Sequence, residues 1–185
     1  MSRPAAALGG AESGTPTVWT IGHSTRDADE FVRILQAHRI ELVADVRRFP
    51  GSRRNPQYSG EAIARTLAAS SIEYRWIELL GGRRRPDADS PNLGWRHPAF
   101  RAYADYVETE AFAAGLAELL DAAYGLRTAV MCSELLWWRC HRRLVADVLT
   151  SLGLPVVHIR DETHAEPHRL GPPARLVAGR LSYRS

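Results

Sequence analysis

The sequence predicts an α/β fold: one open, mostly parallel five-stranded sheet with helices on both faces, doubly wound in the Rossmann-like manner. Short β-branched apolar runs alternate with segments of helical periodicity along the whole chain. Alternation of this kind implies parallel pairing through helical crossovers. The 185 residues, 45% of them hydrophobic, suit one domain able to bury roughly 70% of its unfolded surface without help from disulfides or metal. Residues 15–185 are therefore read as a single domain, behind a disordered tail over 1–14 rich in Ala, Gly and Ser.

"TVWTIGHS" reads as the first strand, ending at Gly22. Asp27 with Glu30 resembles a capping box for a helix carrying Phe31, Ile34, Leu35 and His38. "ELVADVR" is the second strand, followed by the breaker-rich "FPGSRRNPQYSG" and a short helix turning Ile63 and Leu67 inward. "EYRWIELL" is the third strand, stopped by Gly81 and Gly82, and the Gly-, Pro- and charge-rich segment to Pro98 is an exposed loop. Pro98 suits the first turn of a helix bearing Phe100, Tyr103 and Val107, and a second helix with Phe112, Leu116, Leu119 and Leu120 ends near Gly125. "TAVMCS" is the fourth strand, about Cys140 to Leu152 a helix stopped by Gly153, and "PVVHIR" the fifth strand. The tail "HRLGPPARLVAGRLSY" has apolar content and broken periodicity.

Composition narrows the function classes. All 24 basic residues are arginine, a usage that reads as compositional bias and says little about function. The net charge of +3 tolerates a polyanion without demanding one, because 21 acidic residues offset most of it. No apolar run approaches a membrane span or a signal peptide, so a cytoplasmic protein with no membrane partner is expected. Two cysteines in a reducing compartment are read as free thiols or ligands rather than a structural bridge.

In an open parallel sheet, ligands bind beyond the carboxyl ends of the strands. Those ends carry Gly22, His23, Ser24 and Arg26; Asp45 and Arg47; Glu78, Gly81 and Gly82; Cys132 and Glu134; and His158, Arg160 and Asp161. The helix after the fourth strand is expected to open with Cys140, His141 and Arg142, where unpaired amides and the macrodipole favour anions and lower a thiol's pKa. His141 shares a face with Val145, Val148 and Leu152 and is expected to point toward the sheet, with Arg142 and Arg143 turned away. Glu134 beside a buried strand end needs a cation, and Arg142 or Arg26 could supply one.

Three readings follow from these residues. The leading one is an enzyme binding an anionic, phosphate-bearing or nucleotide-like small molecule, with thiol-assisted group transfer or hydrolysis. Cys140 or Cys132 would supply a thiolate, His23 or His141 would move protons, and Asp45 and Glu134 would orient them. Arg47 and Arg142 would hold charge, with Gly22, Ser24, Arg26, Gly81 and Gly82 completing the ligand contacts. The second is a non-catalytic nucleic-acid-binding module using Arg47, Arg48, Arg53, Arg54 and Arg83 to Arg85 with Tyr58, Trp76 and Trp95. The third is a metal-dependent enzyme, which needs Cys132, Cys140 and His141 to converge. On a helix the side chains of Cys140 and His141 diverge by roughly 100°, and eight helical residues span about 12 Å, so the sulfurs meet only if the tryptophan stretch loops back. No cofactor or metal is assigned on this basis.

"TIGHSTR", "LVADVRRFPGSRRNPQY", "LLGG", "VMCSELLWWRCHRRLVA" and the late "HRL" resemble, in that order, the signature blocks of the domain of unknown function 488 family, from about Trp19 to Tyr183. The resemblance implies that Gly22, His23, Ser24, Asp45, Arg47, Gly81, Gly82, Cys132, Glu134, Cys140, His141 and Arg142 occupy the family's characteristic positions. It implies no particular reaction.

Overall fold

The computed structural model describes residues 14–51, 53–85 and 87–184. The expected N-terminal tail falls, except for Gly14, outside them. The chain runs β1 (Val18–Gly22), α1 (Ala28–Ala37), β2 (Leu42–Asp45), α2 (Gly60–Ala69), β3 (Glu73–Trp76), α3 (Pro98–Val107), α4 (Glu110–Gly125), β4 (Thr128–Cys132), α5 (Arg142–Ser151), β5 (Val156–Ile159) and β6 (Ala165–Pro167), then a hairpin of β7 (Arg175–Val177) and β8 (Arg180–Ser182).

Local chemistry sets several boundaries. Asp27 caps α1 by accepting the Glu30 amide at 2.6 Å, but Glu30 turns to Arg26 at 3.1 Å instead of closing the box. Pro98 opens α3, and Thr109 caps α4 by accepting from the Phe112 amide. The third strand stops at Trp76, short of the expected Leu80, because its partner β2 ends at Asp45 opposite Trp76 and the ladder runs out. Glu78–Leu80 coil into a 3-10 turn instead.

The sheet has six strands in the order β3-β2-β4-β1-β5-β6, all parallel except the last. The five expected strands are thus joined by an antiparallel edge strand, whose segment "AEP" is paired on one side only and needs no apolar face. The hairpin turns through Ala178 and Gly179, both at positive φ, as a two-residue turn requires.

Alternating side chains build a core on each face. Leu42, Ala44, Val130, Cys132 and Val156 pack with Leu119, Leu144 and Leu149 of α4 and α5, while Val43, Ala129, Met131 and Ile159 pack with Phe31, Leu35, Ile63 and Leu67 of α1 and α2. β4 lies between β1 and β2. The chain leaves β1 and β2 toward one face and β4 toward the other, so the carboxyl end of β4 is a topological switch point, where a crevice opens. Cys132 stands there.

Candidate functional site

Cys132, Cys140 and His141 converge: the two sulfurs and Nδ1 of His141 all lie within 4.8 Å of one another. The convergence reverses the geometry expected from sequence. Cys140 is not helical but extended, at φ −120° and ψ 150°, and a 3-10 turn over Trp137–Arg139 folds the chain back so that it meets Cys132. α5 starts two residues later, so the divergence of neighbouring helical side chains does not apply. Nε2 of His141 lies 3.0 Å from the Val46 carbonyl and must donate, since that oxygen can only accept. In the neutral ring, Nδ1 therefore presents a lone pair to the sulfurs, 3.6 Å from Cys140 and 4.0 Å from Cys132. Gly82 makes room for this ring, for a Cβ there would sit 2.8 Å from Nδ1.

The two thiols are driven apart in acidity. The hydrogen bond that Cys132 gives Cys140, then burial, push the Cys132 thiol up to about 12. Burial opposes charge on Cys140, but the Cys132 thiol and the charge of the neighbouring Arg142 bring it down to about 6. Of the two thiols, Cys140 is thus the more acidic.

Arg142 was expected to turn away from the sheet; it is instead among the largest fully buried side chains, 1% exposed. As the first residue of α5 it reaches back under the loop from β4, donating to the carbonyls of Glu134 at 2.6 Å and Leu135 at 3.4 Å. Gly22 permits this approach, since a Cβ there would collide with the Glu134 carbonyl and lie 2.9 Å from Nη2 of Arg142. It is the backbone of Glu134 that meets Arg142; its carboxylate is exposed and receives the Leu136 amide at 3.4 Å. Nε of Arg142 is buried with no hydrogen-bond partner among the described residues, and none of their carboxylates pairs with it.

His23, Asp45 and Arg47 form a separate knot. Asp45, wholly buried, takes Nε and Nη2 of Arg47 at 2.9 and 2.5 Å, the Arg47 amide at 2.9 Å and the Tyr74 hydroxyl at 2.7 Å. Arg47 Nη1 donates to the Tyr58 carbonyl at 2.7 Å and to His23 Nε2 at 3.3 Å. Nδ1 of His23 donates to the Ser24 carbonyl, and burial above all holds this imidazole down at about 4, so it is neutral with both nitrogens engaged. Asp45 and Arg47 satisfy one another, which leaves neither free for a ligand. Ser24, at positive φ, ties its amide to the Ser133 carbonyl, and Gly81 lets the Arg48 backbone approach to 2.8 Å from where a Cβ would stand.

A cavity of about 180 Å³ opens beside Arg142, floored by Thr20 and His158, rimmed by Arg26 and Arg160 and covered by Trp137. The thiols do not line it. Trp137 lies flat on His158 at 4.1 Å. Sequence reasoning singled out neither Thr20 nor the buried His168 and Asp147 behind His158. One signal was available: Asp147 falls on the apolar face of α5 beside Leu144 and Val148, where a carboxylate needs a buried partner.

For nucleic acid, the supporting aromatics are consumed by packing. Tyr58 and Trp95 are buried and Arg47 is spent on Asp45, while Arg53, Arg54, Arg83, Arg85 and Trp76 are exposed. Arg84 instead stacks on Tyr106 at 3.5 Å.

The family model described as "Domain of unknown function DUF488" matches residues 27–149, more than half of the chain and the stretch holding Asp45, Gly82, Cys132, Cys140, His141 and Arg142. No curated protein and no solved structure matches the chain.

Proposed function

Since this chain belongs to the DUF488 family, for which no reaction is given, we propose from its own geometry that it is a thiol-dependent enzyme acting on a small anionic substrate by group transfer or hydrolysis. The observation that carries this reading is the meeting of Cys132, Cys140 and His141 next to a buried guanidinium that has no carboxylate partner. Cys140 is the nucleophile, held as thiolate by Cys132 and Arg142. His141 faces the thiolate with Nδ1 and moves the proton. Arg142 joins this centre to the neighbouring cavity and supplies charge to the anion. The volume of about 180 Å³ suits an oxyanion-sized group rather than a whole nucleotide. A free thiolate needs a reducing compartment, so a cytoplasmic location belongs to the proposal. In keeping with it, no helix among the described residues is long and apolar enough to cross a membrane.

The test is the rate of iodoacetamide alkylation against pH in the presence of a chelator. Because the Cys140 pKa is lowered, the reactive form persists above pH 6 and is lost as the pH falls through about 6. A midpoint there is expected. Two inert thiols, or a midpoint at the ordinary thiol value, would overturn the reading.

One observation favours a second reading. The same three atoms span distances suited to a soft divalent ion, and the backbone carbonyl on Nε2 of His141 orients Nδ1 as an outer-shell partner orients a metal ligand. Cys132, Cys140 and His141 would then be three ligands of a tetrahedral site with an open fourth position. Titration of the reduced protein with Co²⁺ separates the two readings: thiolate charge-transfer bands saturating at one ion per chain support the metal centre, and their absence removes it.

A further inference from the structure

Behind the cavity runs a buried hydrogen-bonded chain from Asp147 through His168 and His158 to Thr20. The Asp147 carboxylate accepts from the Tyr183 hydroxyl at 3.0 Å and from Nε2 of His168 at 2.9 Å. Taken as the neutral ring with its proton on Nε2, His168 offers a lone pair at Nδ1, which accepts from Nε2 of His158 at 2.9 Å. His158 is then the Nε2–H tautomer, and its Nδ1 must accept from Thr20 Oγ1, 2.7 Å away. A hydroxyl has one hydrogen. Thr20 spends it on His158, so toward the cavity its oxygen has only lone pairs to offer.

The rest of the cavity wall combines three arginines with the apolar Leu135, Leu136, Trp137, Trp138 and Ile159. Arg142 is 1% exposed with Nε unpartnered among the described residues, whereas Arg26 and Arg160 at the rim are paired with Glu30 and Glu166. Asp161 also borders the cavity, but its carboxylate is turned into its own loop, accepting the amides of Thr163 and His164 at 2.8 and 2.9 Å. A ligand that fits must therefore be negative toward Arg142 and a hydrogen-bond donor toward Thr20.

We infer that this cavity selects a small oxyanion that keeps a proton, of the monohydrogen phosphate type, with its charged oxygens on Arg142 and its hydroxyl donating to Thr20 Oγ1. The inference rests on the anionic-substrate reading above and names the chemical class. A fully deprotonated anion of the same size would set lone pair against lone pair at Thr20. Burial above all holds His158 down at about 2, so it stays neutral throughout the range in which phosphate retains its last proton.

The experiment is calorimetric titration of the whole protein with inorganic phosphate and with sulfate, at pH 7.5 and matched ionic strength. Phosphate is expected to bind about tenfold tighter or more, since one unmet hydrogen bond at a buried group costs about that factor. Thr20→Val keeps the side-chain shape and removes the acceptor, so it is expected to bring the two affinities within about twofold by weakening phosphate alone. Equal affinities in the wild type, or a preference surviving in Thr20→Val, would overturn the inference while leaving an anion site in place. Failure of both anions to bind would remove the anion site as well, with the thiol chemistry still judged by its alkylation profile. Nitrogen-15 spectra of the wild-type histidines test the chain without a variant: His158 is expected with Nδ1 unprotonated, and a proton on Nδ1 would overturn the assignment.

Discussion

Cys140→Ala is expected to slow iodoacetamide labelling at pH 7 by about tenfold or more, whereas Cys132→Ala should leave labelling fast and shift its midpoint upward from about 6. In the wild type, roughly nine-tenths of Cys140 is thiolate at pH 7, while Cys132, pushed up to about 12, is roughly one part in 10⁵. The greater intrinsic nucleophilicity of a high-pKa thiolate restores about 10²·⁵ to 10³ of that deficit, which still leaves Cys140 dominant. Without Cys140, Cys132 loses the hydrogen bond that raised it most and becomes more acidic, which is why the expected loss is about tenfold rather than about a hundredfold. Cys132→Ala withdraws the same hydrogen bond from the thiolate, leaving the charge of Arg142 to oppose burial. Equal labelling in both variants would mean that the two sulfurs are not differentiated, and the nucleophile would have to be sought elsewhere.

The largest loss of stability is expected at Asp45→Ala, about 3–5 kcal/mol and roughly 10 °C in Tm, measured by urea and thermal unfolding. The change strands the Arg47 guanidinium, whose side chain is 7% exposed, and also orphans the Tyr74 hydroxyl and the Arg47 amide. Against a typical total of about 5–15 kcal/mol this is a large share. The midpoint of Cys140 alkylation should stay near 6 in this variant, because neither Asp45 nor Arg47 is among the groups that set that thiol's acidity. A loss below about 1 kcal/mol, or a displaced midpoint, would show that the knot is not a separate structural element.

The two variants divide a set of residues that the sequence presented as one. His23, Asp45 and Cys132 do reach the same rim of the sheet, as alternating strands and helices require. At the rim, however, Asp45 closes on Arg47 only two residues away, while Cys132 waits for a partner from a different crossover. The type of a residue and its place at a strand end were visible; which charge neutralises which was not. Arg142 makes the same point, since helical phase turned it outward, and the carbonyls of Glu134 and Leu135 in the loop after β4 hold it inward. β6 and the β7–β8 hairpin were illegible for another reason. Edge and two-stranded ladders need no apolar alternation, and an alanine at positive φ sends no turn signal.

The sequence by itself determined the α/β class, five parallel strands with their helices, and the gathering of reactive residues at the carboxyl ends. Each of these follows from periodicity and from breakers acting over a few residues. Tertiary structure alone decided that Cys140 meets Cys132 and His141, that Arg142 lies buried without a carboxylate, and that Asp147, His168, His158 and Thr20 join in one buried chain. These are contacts between segments far apart in the chain. Their energies depend on desolvation and on the direction of single hydrogen bonds, which no local pattern of residue types encodes.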